Sequence, residues 1–531
     1  MTVEYRSVYE LSVISDKVYD NPFIDVELWA VFAGPNEQEY HVFGFYDGQG
    51  VWRVRFSPAQ VGAWTYKLVS YPHDPNLEKE GEFQVVPATK ETRGFLKTRP
   101  DQYWGFEYEN GEPCFLFGDT VYNLFGIVHC GYDVKPFLER RVNQGFNILR
   151  VRSQVSPFHP PQGHSKWQNR STWPWGGIPQ IPQFDRFNLD YFRSVDKAVD
   201  LAQQLGMGLE IILQAWGFEY PFNARNVFLP EYELLWTKYW IARYDAYTSV
   251  YVWTLMNEYE FYPDGIPYHR LIADLWAQRM ARWVKDTAPH GHPVAVHNWG
   301  GALTPFAERF ARCPDLIDLV MFQYWGDGRG SEASLAVGIE EKIEQCFEGW
   351  TGARVLSEYG YERNPELDLN IPSHEYMDVD HTRRGAWRGA FTATCVIHGF
   401  ENTWGPWLIL DKDQEGMHDL LVLHRFFTEM VPFEQLRPAA GLITKHPIGG
   451  KAAQARCLAS EDNSIVTVYL PLGGAVGVAL DCTRAYSSHW YDPTTGKMRA
   501  ASYSTDGLFH APSVTGSAQD WVLVLDNRTT N

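Results

Sequence analysis

The sequence predicts a multidomain protein, a central (β/α)8 TIM barrel flanked by N-terminal and C-terminal antiparallel β-sandwich domains. Three observations carry this. The 531 residues exceed one ordinary domain. Residues 1–90 and 436–531 contain runs that alternate polar and apolar residues, or are continuously apolar, between turn signals. Residues 91–435 instead alternate short apolar strands with longer helical stretches.

In the N-terminal unit, 23–32 and 51–56 alternate at period two, set apart by Gly34-Pro35-Asn36 and Asp47-Gly48-Gln49-Gly50. Val85-Val86-Pro87-Ala88 reads as a linker. In the central unit, strands are expected at 114–118, 147–151, 208–213, 250–256, 293–297, 316–322, 354–357 and 395–404. Helices are expected between them, among them 191–205, with apolar positions three and four apart, and 268–287. The alternative is a doubly wound open sheet, but no Gly-rich phosphate fingerprint follows the first strand. In the C-terminal unit, 464–471, 475–481 and 521–525 read as strands and Tyr491-Asp492-Pro493-Thr494-Thr495-Gly496 as a turn.

Apolar residues make up 45% and charged residues 21%, as in soluble globular proteins, and the net charge is −19. That charge argues against a nucleic-acid backbone or an anionic membrane surface as partner, since both need a basic face. Aromatic residues reach 15%, with 21 Trp, and rings both fill cores and stack on sugar C–H faces. The seven cysteines are odd in number and widely spaced, with no CxxC, which argues against a disulfide framework and a zinc knuckle. The first twenty residues scatter charge and hold no apolar h-region, so a cytoplasmic location is expected. No cofactor is implied. His159 and His164, and His290 and His292, are neighbours without an obvious third metal ligand, and they read as loop residues. A homo-oligomer built through the sandwiches is compatible with the sequence, which sets no state.

Functional groups of a (β/α)8 barrel sit at the C-terminal ends of its strands. The fourth strand runs into Asn257-Glu258 and the seventh into Ser357-Glu358. The 100 residues between these glutamates match three βα units of about 30–35 residues each. Strands four and seven face each other across such a barrel. Two opposed carboxylates are what glycosidic cleavage requires: one protonates the leaving oxygen, and the other attacks the anomeric carbon or activates a water. Either glutamate alone also reads as a capping or ion-pairing residue. Asn257 is placed to donate to a substrate hydroxyl.

These motifs resemble the clan A retaining glycoside hydrolases, with the acid/base in an Asn-Glu on strand four and the nucleophile on strand seven. The resemblance assigns Glu258 as acid/base and Glu358 as nucleophile. Gly145-Phe146-Asn147-Ile148-Leu149-Arg150 resembles the strand-two motif of family 5, which implies that Arg150 supports the nucleophile. Tyr324 falls near the family's strand-six tyrosine that hydrogen-bonds the nucleophile, and Trp404 near its strand-eight tryptophan that floors the sugar site. Trp52-Arg53-Val54-Arg55-Phe56-Ser57-Pro58 and Gly62-Ala63-Trp64-Thr65-Tyr66 resemble an N-terminal sandwich of uncharacterised type. The turn at Tyr491–Gly496 resembles a C-terminal sandwich type named for collagen binding. With Ser357-Glu358-Tyr359-Gly360-Tyr361, the layout is similar to the group containing the family 140 apiosidase-type enzymes. Strand three departs from the family 5 pattern, ending Gln214-Ala215-Trp216 without its common His.

Other residues at the expected mouth carry two readings each. Asp119 binds a terminal sugar hydroxyl or caps a loop. His297 donates to substrate or is structural. Trp216 and Trp325 are stacking walls or core. Arg152 lies on the same strand face as Arg150 and supports the site or forms a structural ion pair. A Trp-rich insertion at 167–175, with Trp173 and Trp175, is a candidate cleft wall. The expected activity is a retaining, exo-acting glycoside hydrolase with a mono- or oligosaccharide substrate. The exo preference rests on the absent signal peptide and on long mouth loops. The alternatives are an endo-acting glycanase on oligosaccharides, a carbohydrate-binding scaffold without activity, and a barrel lyase or isomerase using one carboxylate. The sandwiches bind sugar or brace the barrel, and bracing is favoured because neither shows a distinctive exposed aromatic triplet.

Overall fold

A computed structural model describes residues 1–100, 102–155, 172–267, 270–302, 304–328, 330–362, 377–400, 413–512 and 519–528. Its centre is a closed barrel of eight parallel strands: β1 (Phe117–Thr120), β2 (Ile148–Arg152), β3 (Gly208–Trp216), β4 (Val250–Asn257), β5 (Val294–His297), β6 (Leu319–Gln323), β7 (Ala353–Glu358) and β8 (Cys395–Phe400). Closure comes from β1 pairing with β8, Gly118 opposite Ile397, while β1 pairs on its other edge with β2, Gly118 opposite Ile148. A Cβ on Gly118 would sit 2.6 Å from Ile148 Cγ2 and 2.9 Å from Ile397 Cγ1, so only glycine lets these side chains meet here.

The strands read as continuous apolar runs because both faces are buried, the inner by barrel side chains and the outer by helices. The helix Leu189–Leu205 shows why one such element forms. Asn188 caps it, accepting from the Tyr191 N–H, its apolar stripe buries Tyr191, Phe192, Val195, Ala198, Val199 and Ala202, and Gly206 at φ +71° ends it. The first strand differs from the expected 114–118. Cys114 precedes the barrel, and its N–H donates to Phe106 O (3.0 Å) in the hairpin Leu96–Thr98/Phe106–Tyr108. That hairpin lies against the N-terminal ends of β4 and β7, through Tyr108–Tyr251 and Gly105–Ala353. One apolar run therefore serves two buried elements, which hydropathy does not separate.

The N-terminal unit packs a five-stranded sheet on a three-stranded one, antiparallel except where Thr2–Glu4 runs parallel to Glu80–Val86. Phe32 and Phe56, one from each sheet, stack at 4.2 Å in its core. The C-terminal unit packs a six-stranded sheet with a three-stranded one around Trp490, Phe509 and Trp521.

Both sandwiches are tied to the barrel by buried ion pairs. Arg243, on the helix Pro230–Tyr244, is fully buried; it reaches Asp47 of the N-terminal sandwich (2.9 Å) and Asp196 of the barrel (2.5 Å). Arg55 of the sandwich reaches back to Asp196 (3.2 Å) and to Arg243 O (2.8 Å). His290 lies in a turn, as expected, and is buried there: its imidazole bonds Asp245 (2.7 Å) and accepts from the Ser57 N–H (3.0 Å). On the other side, Arg383 binds Asp419 (2.9 Å) and Asp520 (3.0 Å), and Trp387 stacks on Tyr469. Arg243→Ala should lower unfolding stability by about 2–3 kcal/mol, because Asp196 keeps only Arg55 and Asp47 only Arg53 (2.7 Å) and the packing on Phe45 is lost; urea denaturation measures this.

Candidate active site

The barrel mouth gathers side chains from six strand ends around Glu258 and Glu358. Glu358 closes β7 and is 6% exposed. Its Oε2 accepts from Tyr122 Oη (2.9 Å) and Arg150 Nη1 (3.2 Å), and its Oε1 from Gln323 Nε2 (2.5 Å). Arg150, from β2, is fully buried and every one of its nitrogens is used. Beyond Glu358 it donates to Tyr122 Oη (2.8 Å), to Glu210 Oε1 on β3 (3.4 Å) and to Asn257 Oδ1 on β4. Arg150 thus donates to Tyr122, which in turn donates to Glu358. Burial raises the Glu210 pKa; Thr254 Oγ1 also donates to its Oε1 (2.8 Å), and its buried Oε2 has no partner among the described residues.

Glu258 follows β4 with φ +49°, a left-handed conformation that costs a non-glycine residue about 1–2 kcal/mol. Its N–H is held by His297 Nδ1 at the end of β5 (3.1 Å). Burial first, and then the negative charge of Glu358, push the Glu258 carboxyl up to about 8; a hydrogen bond from Gln323 acts in the opposite direction. Burial and the Arg150 charge hold His297 well below the usual imidazole range. The imidazole is therefore neutral, and since Nδ1 accepts, its proton is on Nε2, 3.8 Å from Glu358 Oε2. One carboxyl is kept protonated near neutrality beside another held by three donors. Such a pair can supply a proton and a nucleophile at one centre.

The structure brings Glu258, Glu358, Asn257, Arg150 and His297 together. Asn257 spends its carbonyl on Arg150, and its buried Nδ2 has no partner among the described residues. Tyr324 requires correction: its hydroxyl donates to Asp327, and only its N–H reaches Glu358, at the backbone O (3.0 Å). A register shift between Phe322 and Gln323 sets Gln323 opposite Glu358, and Gln323 rather than Tyr324 binds the carboxylate. The tyrosine on Glu358 is Tyr122, just past β1. Sequence reasoning missed both, although Tyr122 stands two residues after a strand end.

Asp119 is also corrected. It points out of the barrel to a buried pair with Arg141 (2.7 Å) on the helix Lys135–Asn143, because strand alternation turns it away from the mouth. Trp216 is buried at the end of β3, with the Arg152 guanidinium 4.3 Å from a ring centroid and Phe218 nearly parallel at 5.4 Å, so packing claims its ring. Trp325 is half-buried and meets Tyr361 edge-on at 5.3 Å. Trp173 and Trp175 do not wall the cleft. Both are buried in an aromatic cluster, Trp173 against Tyr220 and Trp175 against Trp236. Trp404, and Trp167 of the same insertion as Trp173, lie outside the described residues. Phe218, 37% exposed, and Phe261 and Trp299 beside it put further aromatic rings near the mouth. No group of three or more His, Cys, Asp or Glu among the described residues is arranged to hold a metal.

Two substitutions should move the Glu258 titration in opposite directions. Glu358→Gln removes a neighbouring charge and should lower its pKa below about 8, whereas Gln323→Leu removes a bond that favours the ionised form and should raise it. Carbon-13 NMR titration of labelled glutamate carboxyls, assigned by difference from Glu258→Gln, reads both shifts.

The geometry has relatives. The model of the apiosidase-like catalytic domain matches residues 102–411. A domain of unknown function, DUF5060, matches residues 2–71, and a "putative collagen-binding domain of a collagenase" matches residues 438–526. A solved structure described as a "putative glycoside hydrolase" from Bacteroides vulgatus ATCC 8482 is 17% identical, with 99% of each chain covered and a TM-score of 0.69. A glycoside hydrolase family 5 structure from the same organism is 16% identical over 82% of this chain and 94% of its own, with a TM-score of 0.62. No curated protein matches the sequence. At these identities the solved structures show a shared fold, and the catalytic-domain match, spanning more than half of the 531 residues, supplies the family. The chain belongs to the apiosidase-like family and is a glycoside hydrolase.

Proposed function

We propose that this glycoside hydrolase works by retaining double displacement, with Glu258 as acid/base and Glu358 as nucleophile. The observation that carries the reading is the asymmetry of the pair: Glu258 is pushed up to about 8 while Arg150, Tyr122 and Gln323 all donate to Glu358. In the first step Glu258 gives its proton to the leaving glycosidic oxygen, and Glu358 Oε forms a bond to the anomeric carbon as that C–O bond breaks. In the second step the Glu258 carboxylate takes a proton from water, whose oxygen displaces Glu358 and leaves the anomeric configuration retained. Asn257 Nδ2 and His297 Nε2–H are placed to donate to sugar oxygens as charge develops.

The proposal extends to an exo-acting enzyme releasing single sugars, on the length of chain between β2 and the helix Leu189–Leu205 and between β7 and the helix Val379–Ala390. Action in the cytoplasm belongs to it too; the seven cysteines, all free thiols, suit a reducing compartment.

A panel of 4-nitrophenyl glycosides in both anomers tests the reading. Glu358→Ala should fall below about a thousandth of wild-type kcat/KM. Azide should restore nitrophenol release and yield a glycosyl azide of inverted configuration; absence of that product counts against double displacement. Because the reactive form needs Glu258 protonated, kcat/KM should fall as pH rises through about 8. In Glu258→Gln that alkaline limb should vanish, with a loss of about 10²–10⁴-fold on glycosides with poor leaving groups.

A further inference from the structure

Buried arginines in this barrel spend most of their donors: Arg141 leaves one nitrogen, Nη2, without a partner among the described residues, and Arg152 leaves two. Arg150 uses Nε, Nη1 and Nη2. Arg243 does so on Asp196, Tyr239 and Asp47, and Arg309 on Asp274 and Glu260. Arg152 is 1% exposed, yet only its Nη2 is engaged, on Glu219. Its Nε and Nη1 are buried and have no partner among the described residues. An arginine placed only to brace the fold gains nothing from idle N–H groups, since each costs desolvation without return.

Its position explains what the idle donors face. Arg152 closes β2 two residues after Arg150, so it lies on the same inward side, one layer nearer the mouth. The guanidinium packs on Trp216 at the end of β3 (4.3 Å) and lies 5.8 Å from the ring of Tyr122, whose hydroxyl holds Glu358. Asn257 Nδ2 and His297 Nε2 are idle donors in the same barrel, and with the two Arg152 nitrogens they outnumber the idle acceptors there, Gln154 Oε1 and Glu210 Oε2. The site therefore offers more hydrogen than oxygen, and its ligand must present oxygen acceptors. Glu219 already balances the Arg152 charge, so the acceptor called for is a neutral hydroxyl oxygen rather than a carboxylate.

We propose that Arg152, oriented by Glu219 and Trp216, binds the substrate directly and selects a neutral, polyhydroxylated glycone through one of its hydroxyl oxygens. This rests on the glycosidase reading above and goes past it by naming a specificity residue and the group it reads.

The test is a binding cycle in the inert Glu358→Gln protein. The probes are the 4-nitrophenyl glycoside that binds tightest and its monodeoxy analogues, measured by titration calorimetry with and without Arg152→Lys. The lysine keeps a cation for Glu219 and removes the Nε and Nη1 donors. Loss of a charged hydrogen bond should weaken the parent glycoside by about 10- to 100-fold. One monodeoxy analogue should bind the Arg152 protein as weakly and lose less than about threefold on Arg152→Lys, the coupling expected of a direct contact. Equal weakening across all analogues, unchanged binding of the parent, or a melting temperature that falls with affinity would each make Arg152 a brace and overturn the proposal. Azide rescue reports on Glu358 alone. If rescue fails and the coupling holds, double displacement falls and the Arg152 contact stands. If rescue succeeds and the coupling is absent, double displacement stands and the Arg152 contact falls.

Discussion

The structure depends on one buried cation. Arg150 sits inside the barrel without exposure, and a guanidinium taken out of water is tolerated only where carboxylates and hydrogen-bond acceptors replace the solvent. Its partners come from three other strands and one strand-end segment: Glu210 on β3, Asn257 on β4, Glu358 on β7 and Tyr122 after β1. Satisfying that charge orients Glu358 and occupies the Asn257 carbonyl, and the same charge adds to burial in keeping His297 neutral. Folding the barrel and assembling the site are therefore one electrostatic problem with one solution.

Two carboxyls of the same chemical type sit in different surroundings. Three donors converge on Glu358, whereas Glu258 is set on a strained left-handed residue, buried beside that negative charge, and only the Gln323 amide and the Arg150 charge favour its ionised form. Gln323 is bonded to both, and its Oε1 accepts from the Gly300 N–H (3.0 Å), which fixes the amide with its NH2 group toward the pair. A strained backbone at Glu258 is sustained by packing around it, in keeping with strain concentrated where chemistry is done.

The flanking sandwiches act on this centre from outside. Arg243, Arg55 and His290 on one side, and Arg383 with Trp387 on the other, join each sandwich to barrel helices through buried polar contacts instead of a flexible hinge. Such contacts brace the helical layer that presses the strands together. Each sandwich keeps a core cluster of its own, and the barrel core reaches into both, through Phe45 on one side and Tyr469 and Tyr491 on the other.

The three-part architecture and both mouth glutamates were legible in the sequence. Period-two runs mark half-buried sandwich strands, continuous apolar runs mark barrel strands, and the last residues of β4 and β7 must lie at the mouth. The order of side chains around the mouth was not legible. A register shift in β6 exchanged Tyr324 for Gln323, strand alternation sent Asp119 outward to Arg141, and Trp173 and Trp175 went to a helix–hairpin core. Hydropathy and spacing record which residues are buried and how far apart they stand along the chain. Which buried donor meets which buried acceptor depends on bulges, on the inward or outward turn of each strand end and on contacts between residues more than a hundred positions apart. Those are set only when the barrel closes and every buried charge must find its partner.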